Sequence, residues 1–144
     1  MKIYLDTCVW CRPFDEPSER VRKEEEAFFE ILEKASKWRV EIITSIVLDY
    51  EVAQIDDPQK RDDVLKSISL FESYKVAEIP KSVRREIMNT TGLRPTDATH
   101  LAVAIQHSEY FISVDDEILK RGKRIERQFG IKVRNPIEFI EEVK

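Results

Sequence analysis

Five short runs rich in aliphatic and aromatic residues are spaced along the chain and predict β-strands. Each has few alternating polar positions, which is typical of strands that are buried on both faces of a parallel sheet. The first run ends directly at a carboxylate, Asp6, with Thr7 beside it. The five predicted strands are residues 3–5, 40–44, 75–79, 110–114 and 131–133.

The segments between these runs place apolar residues at helical spacing. The clearest stripe runs from Val21 to Ala35 and follows Ser18, a favoured helix N-cap residue. Prolines and acids between Cys8 and Pro17 predict a loop. The other predicted helices are 46–52 after Ser45, a helix from Pro58 to Phe71, a short helix closed near Gly92, a small-residue helix over 94–105, a basic helix over 117–127 and a final helix opened by Pro136.

Alternating strands and helices predict a single domain over residues 1–144. The predicted fold class is α/β, a three-layer α/β/α sandwich with a mostly parallel central sheet. No apolar run approaches the roughly 20 residues needed to span a bilayer, and the N-terminus lacks a signal-peptide pattern. We therefore expect a cytoplasmic protein without membrane contact.

Charge and cysteine content narrow the function classes. The formal net charge is −4, which argues against a general nucleic-acid coat but leaves room for a local basic patch. The two cysteines, Cys8 and Cys11, cannot form a disulfide framework. Their C-x-x-C spacing lies in the predicted loop rather than at a helix start, so ordinary packing is favoured over a redox or zinc role.

Four carboxylates are expected at one edge of the predicted sheet. Asp6 and Asp115 end strands, Glu51 lies within two turns of a helix start, and Asp97 lies in the first turn of the small-residue helix. Carboxyl ends of parallel strands, and the helices that follow them, share an edge where ligands bind. We therefore expect the four acids to share a cleft.

Clustered carboxylates require a means of offsetting their repulsion. Two unit charges about 4 Å apart repel by roughly 4 kcal/mol at an effective dielectric of 20. Protonation relieves this repulsion, and so does a divalent cation. Oxygen ligands without a His or Cys cluster suit Mg²⁺ or Mn²⁺, and such sites support phosphodiester hydrolysis.

Four segments carry a resemblance to a known family. They are residues 3–7 (Ile-Tyr-Leu-Asp-Thr), 44–51 (Thr-Ser-Ile-Val-Leu-Asp-Tyr-Glu), 96–104 (Thr-Asp-Ala-Thr-His-Leu-Ala-Val-Ala) and 111–116 (Phe-Ile-Ser-Val-Asp-Asp). In their order and separation they resemble the PIN-domain family, which includes VapC-type toxin ribonucleases, and the resemblance covers nearly the whole chain. It implies an α/β/α sandwich that hydrolyses RNA with Mg²⁺ or Mn²⁺.

The resemblance also assigns roles to residues. Asp6 and Asp97 would be the main metal ligands, while Glu51 and Asp115 would complete the catalytic site, partly through water. Asp115 is included among the metal ligands, and Ser113, Asp116 and Thr7 are supporting residues. Asp116 competes with Asp115 for the site position, and Asp49 competes more weakly with Glu51. Cys8 departs from the small polar residue that many relatives carry beside the first aspartate.

Other residues have both a functional and an ordinary interpretation. The basic run with Lys120, Arg121, Lys123 and Arg124 follows Asp115 and is a candidate RNA-binding surface or a solvated helix face. Lys81, Arg84 and Arg85 form a second candidate patch. His100 is interpreted as a hydrogen-bonded structural residue in preference to a catalytic one. Trp10 and Phe14 are candidates for stacking on a base or for a dimer interface, with loop packing as the default for both.

Two kinds of function follow from these observations. The first is a metal-dependent ribonuclease that acts as the toxin of a type II toxin–antitoxin pair, with RNA as substrate, an antitoxin protein as partner, and homodimerisation as a family expectation. The alternative is a non-catalytic PIN-fold module that binds RNA or protein. A phosphatase is a weaker option, because a haloacid-dehalogenase-type site needs an acid at position 8, which is Cys8.

Overall fold

A five-stranded, entirely parallel sheet forms the centre of the molecule. The computed structural model describes all residues from Met1 to Lys144. The strands are β1 (Lys2–Leu5), β2 (Glu41–Ser45), β3 (Glu72–Val76), β4 (Tyr110–Ile112) and β5 (Lys132–Arg134), in the spatial order β3-β2-β1-β4-β5. β1 is therefore the central strand, although it comes first in the chain.

Nine helices cover both faces of the sheet and confirm the predicted fold class. They are α1 (Thr7–Trp10), α2 (Glu19–Ser36), α3 (Ile46–Ala53), α4 (Pro58–Phe71), α5 (Lys81–Thr91), α6 (Pro95–His107), α7 (Asp116–Leu119), α8 (Gly122–Phe129) and α9 (Pro136–Glu142). No helix is long and apolar enough to cross a membrane.

The alternation of side chains along β1 divides the core into two layers. Ile3 and Leu5 join a cluster that includes residues of α1–α4 and α9, while Tyr4 joins a cluster that includes α5–α8. All three side chains are fully buried. Successive strand residues point to opposite faces, so a continuous apolar run is what a strand covered on both sides requires.

Local signals account for several helix boundaries. Ser18 accepts a hydrogen bond from the backbone of Val21, and Ser45 accepts one from Leu48, so both serines act as the expected N-caps. Gly92 ends α5 with φ of +70°, a left-handed conformation that glycine adopts without a steric penalty.

One loop prediction and one helix prediction need correction. The segment from Cys8 to Pro17 is not simply a loop, because α1 follows Asp6 directly and a 3₁₀ turn covers Arg12–Phe14. Asp6 caps α1 by accepting from the backbone of Thr7. The basic segment is not one helix but two, α7 and α8. The break lies before Gly122, where an added Cβ would come within 3.3 Å of Val133.

The third strand also lies earlier than predicted. β3 covers Glu72–Val76 instead of residues 75–79 and begins directly where α4 ends. Only Val76 is buried, because β3 is an edge strand. Residues 73–75 are exposed, so the sequence carries no apolar pattern there from which this strand could have been predicted.

Candidate functional site

Asp6 lies at the carboxyl end of the central strand and is 5% exposed. Its Oδ1 accepts from the backbone N–H of Thr7 (2.9 Å), and its Oδ2 accepts from Ser113 Oγ (2.8 Å) and Cys8 Sγ (3.3 Å). Burial raises the pKa of Asp6, and the bond from Ser113 partly offsets this. The buried carboxylate is thus positioned by neutral donors.

Glu51 reaches the same site from the second turn of α3. Its Oε1 accepts from Thr7 Oγ1 (2.6 Å) and contacts Nε2 of His100. Partial burial would raise the pKa of Glu51, but the hydrogen bonds from His100 and Thr7 outweigh it and lower this pKa. Glu51 is therefore ionised at neutral pH and held in one orientation.

A cleft beside these residues contains the other two predicted acids. It has a volume of about 510 Å³ and is lined by Gly92, Leu93, Arg94, Asp97, Asp115, Glu117 and Arg121. The pKa of Asp97 is raised, first by burial and then by the negative charge of Asp6, while Arg94 opposes the shift. Nε of Arg94 lies 3.3 Å from Oδ2 of Asp97.

The two competing acids point elsewhere. Asp116 is exposed and forms an ion pair with Arg20 of α2, and its neighbour Asp115 lines the cleft. Asp49 forms a 2.6 Å ion pair with Lys75 of β3, and Glu51 faces Asp6. In each pair of neighbouring acids, one faces the site and the other binds a basic side chain.

The grouping of ligand atoms tests whether the site suits a metal ion. One ligand atom each from Asp6, Glu51 and His100 lie within 4.8 Å of one another. Asp97 lies outside this group, but its pKa is raised, first by burial and then by the charges of Asp6 and Asp115, so its carboxylate belongs to the same acidic surroundings. Carboxylate oxygens dominate this set, and excess negative charge is partly buried, so the residues fit a divalent cation that prefers oxygen ligands.

His100 is closer to the site than the sequence indicated. It is fully buried, and its Nδ1 lies 2.6 Å from the hydroxyl of Tyr4, so it is hydrogen-bonded as expected of a structural histidine. Its Nε2 nevertheless contacts Glu51. The i, i+3 spacing from Asp97 puts both residues on neighbouring positions of α6, and it is the sequence signal by which His100 could approach the cleft.

The candidate RNA-binding residues lie on and beside α8. Lys120, Lys123 and Arg124 are exposed or partly exposed, and Arg121 lines both the acidic cleft and an adjoining basic depression. Arg121 Nε donates to the backbone carbonyl of Thr91 (2.8 Å). Trp10 is 1% exposed and cannot stack on a base, whereas Phe14 is 40% exposed.

Comparison with known proteins identifies the family. The family model of the PIN domain matches residues 3–124, and the chain belongs to this family. The resemblance in the four sequence segments is thereby confirmed. No curated protein matches the sequence at a significant level.

A solved structure shares the fold. One chain of the crystal structure of VapBC2 from Rickettsia felis, bound to a DNA fragment from the promoter, matches with a TM-score of 0.60 and 14% sequence identity. The match covers 94% of this chain and 98% of that chain. At this identity the likeness concerns the fold, and the site must be argued from its own residues.

Proposed function

We propose that the protein is a Mg²⁺- or Mn²⁺-dependent endoribonuclease. The observation that carries this proposal is the buried carboxylate of Asp6 at the end of the central strand, with Glu51 beside it and with Asp97 and Asp115 in the adjoining cleft. Membership of the PIN family supports it. The complete set of acids argues against the non-catalytic alternative.

The proposed roles follow from the surroundings of each acid. Asp6, Asp97 and Asp115 would hold the cation, and Ser113 keeps Asp6 oriented through its 2.8 Å hydrogen bond. A divalent cation in such a site supplies charge neutralisation for the phosphodiester and a more acidic attacking water. Glu51, fixed by Thr7 and His100, is ionised and would accept a hydrogen bond from that water.

The test is cleavage of RNA in the presence of Mg²⁺ or Mn²⁺. Replacing Asp6 or Asp97 by Asn should lower the cleavage rate by about 100-fold or more, because charge is removed where the transition state needs it. Asp49→Asn is the matched control: it removes an acid two residues from Glu51 that is paired with Lys75 instead. Cleavage that survives both site substitutions, or persists in a chelator, would rule the proposal out.

We further propose that this nuclease is a toxin that is held inactive by a cytoplasmic antitoxin. An acidic, open cleft is a suitable target for an arginine on a partner protein, since guanidinium–carboxylate pairs are strong and directional. The fold-related chain solved in a complex named VapBC2 supports this view. Homodimerisation stays a prediction, which can be checked by measuring the molar mass in solution by light scattering.

Expression in cells tests the toxin role. The intact chain should arrest growth, Asp6→Asn should not, and co-expression of a small neighbouring reading frame should restore growth and yield a co-purifying complex. Arrest by Asp6→Asn as strong as that by the intact chain would contradict a toxin that acts through this site.

A further inference from the structure

The segment that carries Asp115 is held on its cleft side by hydrogen bonds of ordinary length. Ser113 Oγ accepts from the backbone N–H of Asp115 (3.0 Å) and donates to Asp6 (2.8 Å). Asp115 Oδ1 accepts from the backbone N–H of Glu117 (2.9 Å). These bonds link the backbone of Asp115 to the carboxylate of Asp6 through one hydroxyl group.

On its outer side, the same segment is held by one guanidinium group from α2. Nη2 of Arg20 donates to the carbonyl oxygen of Val114 and to Oδ1 of Asp116, both at 2.9 Å, and Nη1 donates to Oδ2 of Asp116 at 3.1 Å. Arg20 therefore contacts the residue before Asp115 and the residue after it. The contact with Asp116 is bidentate, the geometry that gives such pairs their directional precision.

Arg20 is itself anchored by a buried acid. Its Nε lies 3.3 Å from Oε1 of Glu24, whose side chain is 3% exposed. The same oxygen accepts from Nε of Arg12 (3.0 Å), which follows α1. A buried carboxylate between two guanidinium groups is an unusually fixed support, because removing its partners would leave a buried charge unpaired.

We propose that Arg20 is a positioning residue that fixes Asp115 in the acidic cleft, with Asp116 as its anchor. This inference rests on the proposed nuclease function. It explains the two consecutive acids: Asp115 faces the cleft and Asp116 ties the backbone to α2. Exposed ion pairs contribute little to stability, whereas a small misplacement of a catalytic group greatly slows a reaction. We therefore expect the Arg20–Asp116 pair to affect the position of Asp115 more than the stability of the fold.

The first test measures the segment itself in the metal-free protein. Amide hydrogen exchange followed by NMR should be about threefold faster or more at Asp115 and Glu117 in Arg20→Ala, because this segment then opens without its outer restraint. Lys23→Ala is the matched control, since Lys23 lies on the same helix and pairs only with the exposed Glu19. Unchanged exchange at both amides would overturn the proposal.

The second test separates positioning from charge. In calorimetric titration, Arg20→Ala should bind Mg²⁺ more weakly than the intact protein does. Arg20→Lys keeps the charge but lacks the planar guanidinium group, so it should bind Mg²⁺ almost as weakly as Arg20→Ala. Asp116→Ala should reproduce the defect, and the double variant should be no worse than Arg20→Ala alone. Full rescue by lysine, or additive defects in the double variant, would refute the assigned role.

The two readouts remain informative if one part fails. If the intact protein cleaves no RNA, the nuclease proposal fails, while exchange and Mg²⁺ titration still decide the role of Arg20. If Arg20→Ala does not fold, Asp116→Ala gives the same exchange measurement, because the Asp116 side chain is 68% exposed and outside the core. If the intact protein does cleave RNA, Arg20→Ala should lower kcat by about tenfold or more and leave KM little changed.

Discussion

His100 connects the site to the core through a chain of side-chain hydrogen bonds. The hydroxyl of Tyr4 lies 2.7 Å from Ser45 Oγ and 2.6 Å from His100 Nδ1, and the opposite ring nitrogen contacts Glu51. Burial raises the pKa of Tyr4 far above its ordinary value, so its hydroxyl stays protonated. The position of Glu51 is therefore set by residues of β1, β2 and α6.

Asp97 provides a test of whether the clustered carboxylates destabilise the metal-free protein. Because burial and Asp6 raise its pKa, its ionised form destabilises the metal-free protein. We expect Asp97→Asn to raise the free energy of unfolding by about 0.5–1 kcal/mol at pH 7.5 in a chelator. Urea denaturation measures this change.

The pH dependence and the response to Mg²⁺ provide the controls. The folded protein binds the Asp97 proton more tightly than the unfolded chain does, so this penalty develops as pH rises through the raised pKa and is absent below the ordinary aspartate value. The gain from Asp97→Asn should shrink as pH is lowered. Mg²⁺ at ten times its dissociation constant should stabilise the intact protein by about 1.4 kcal/mol, and the variant less. If the intact protein and Asp97→Asn had the same free energy of unfolding at every pH, this account would be contradicted.

At the level of elements, α8 is the candidate path for RNA leaving the acidic cleft. Lys123 and Arg124 lie in its first turn, and Arg124 also lines a further depression of about 550 Å³ together with Thr90, Arg127 and Gln128. Replacing Lys123 and Arg124 by Ala should reduce the salt dependence of RNA binding, by a slope of about 0.7 for each phosphate group that is no longer neutralised. Fluorescence anisotropy at several salt concentrations measures the slope.

The binding measurement needs an uncleaved RNA and a matched charge control. Asp6→Asn supplies a background in which the proposed cleavage is slowed by about 100-fold or more. Replacing Lys60 and Lys66 by Ala removes the same number of charges from α4, in the helical layer on the other face of the sheet. A salt slope that changes equally in both variants would show that α8 is only a solvated helix face.

Elements were predictable where one local signal determined them. Ser18 and Ser45 marked helix starts, and the apolar run of β1 marked a strand covered on both faces. The edge strand β3 was misplaced because its outer position demands few apolar residues. α1 was missed because its support is tertiary: Val9 and Trp10 pack into the core, which two nearby prolines do not reveal.

At the scale of the molecule, the clustering of acids could be predicted from the sheet topology. The side chains that hold those acids in place could not. Parallel strands bring their carboxyl ends to one edge, so Asp6 and Asp115 could be assigned to it from sequence. The contacts of Arg20 and His100 cross 94 and 49 residues, respectively, to Val114 and Glu51. Such long-range partners depend on how helices pack, which spacing along the chain does not encode.

The position of β1 at the centre of the sheet has a consequence for protein synthesis. β1 emerges first from the ribosome, yet Tyr4 pairs with Phe111 of β4, and Asp6 needs Ser113 for its hydrogen bond. At about 5–20 residues per second, the roughly 100 intervening residues take on the order of 5–20 s to translate. The nascent chain therefore lacks the assembled acidic site until Ser113 has been synthesised, and the proposed cleavage of RNA would begin only after that interval.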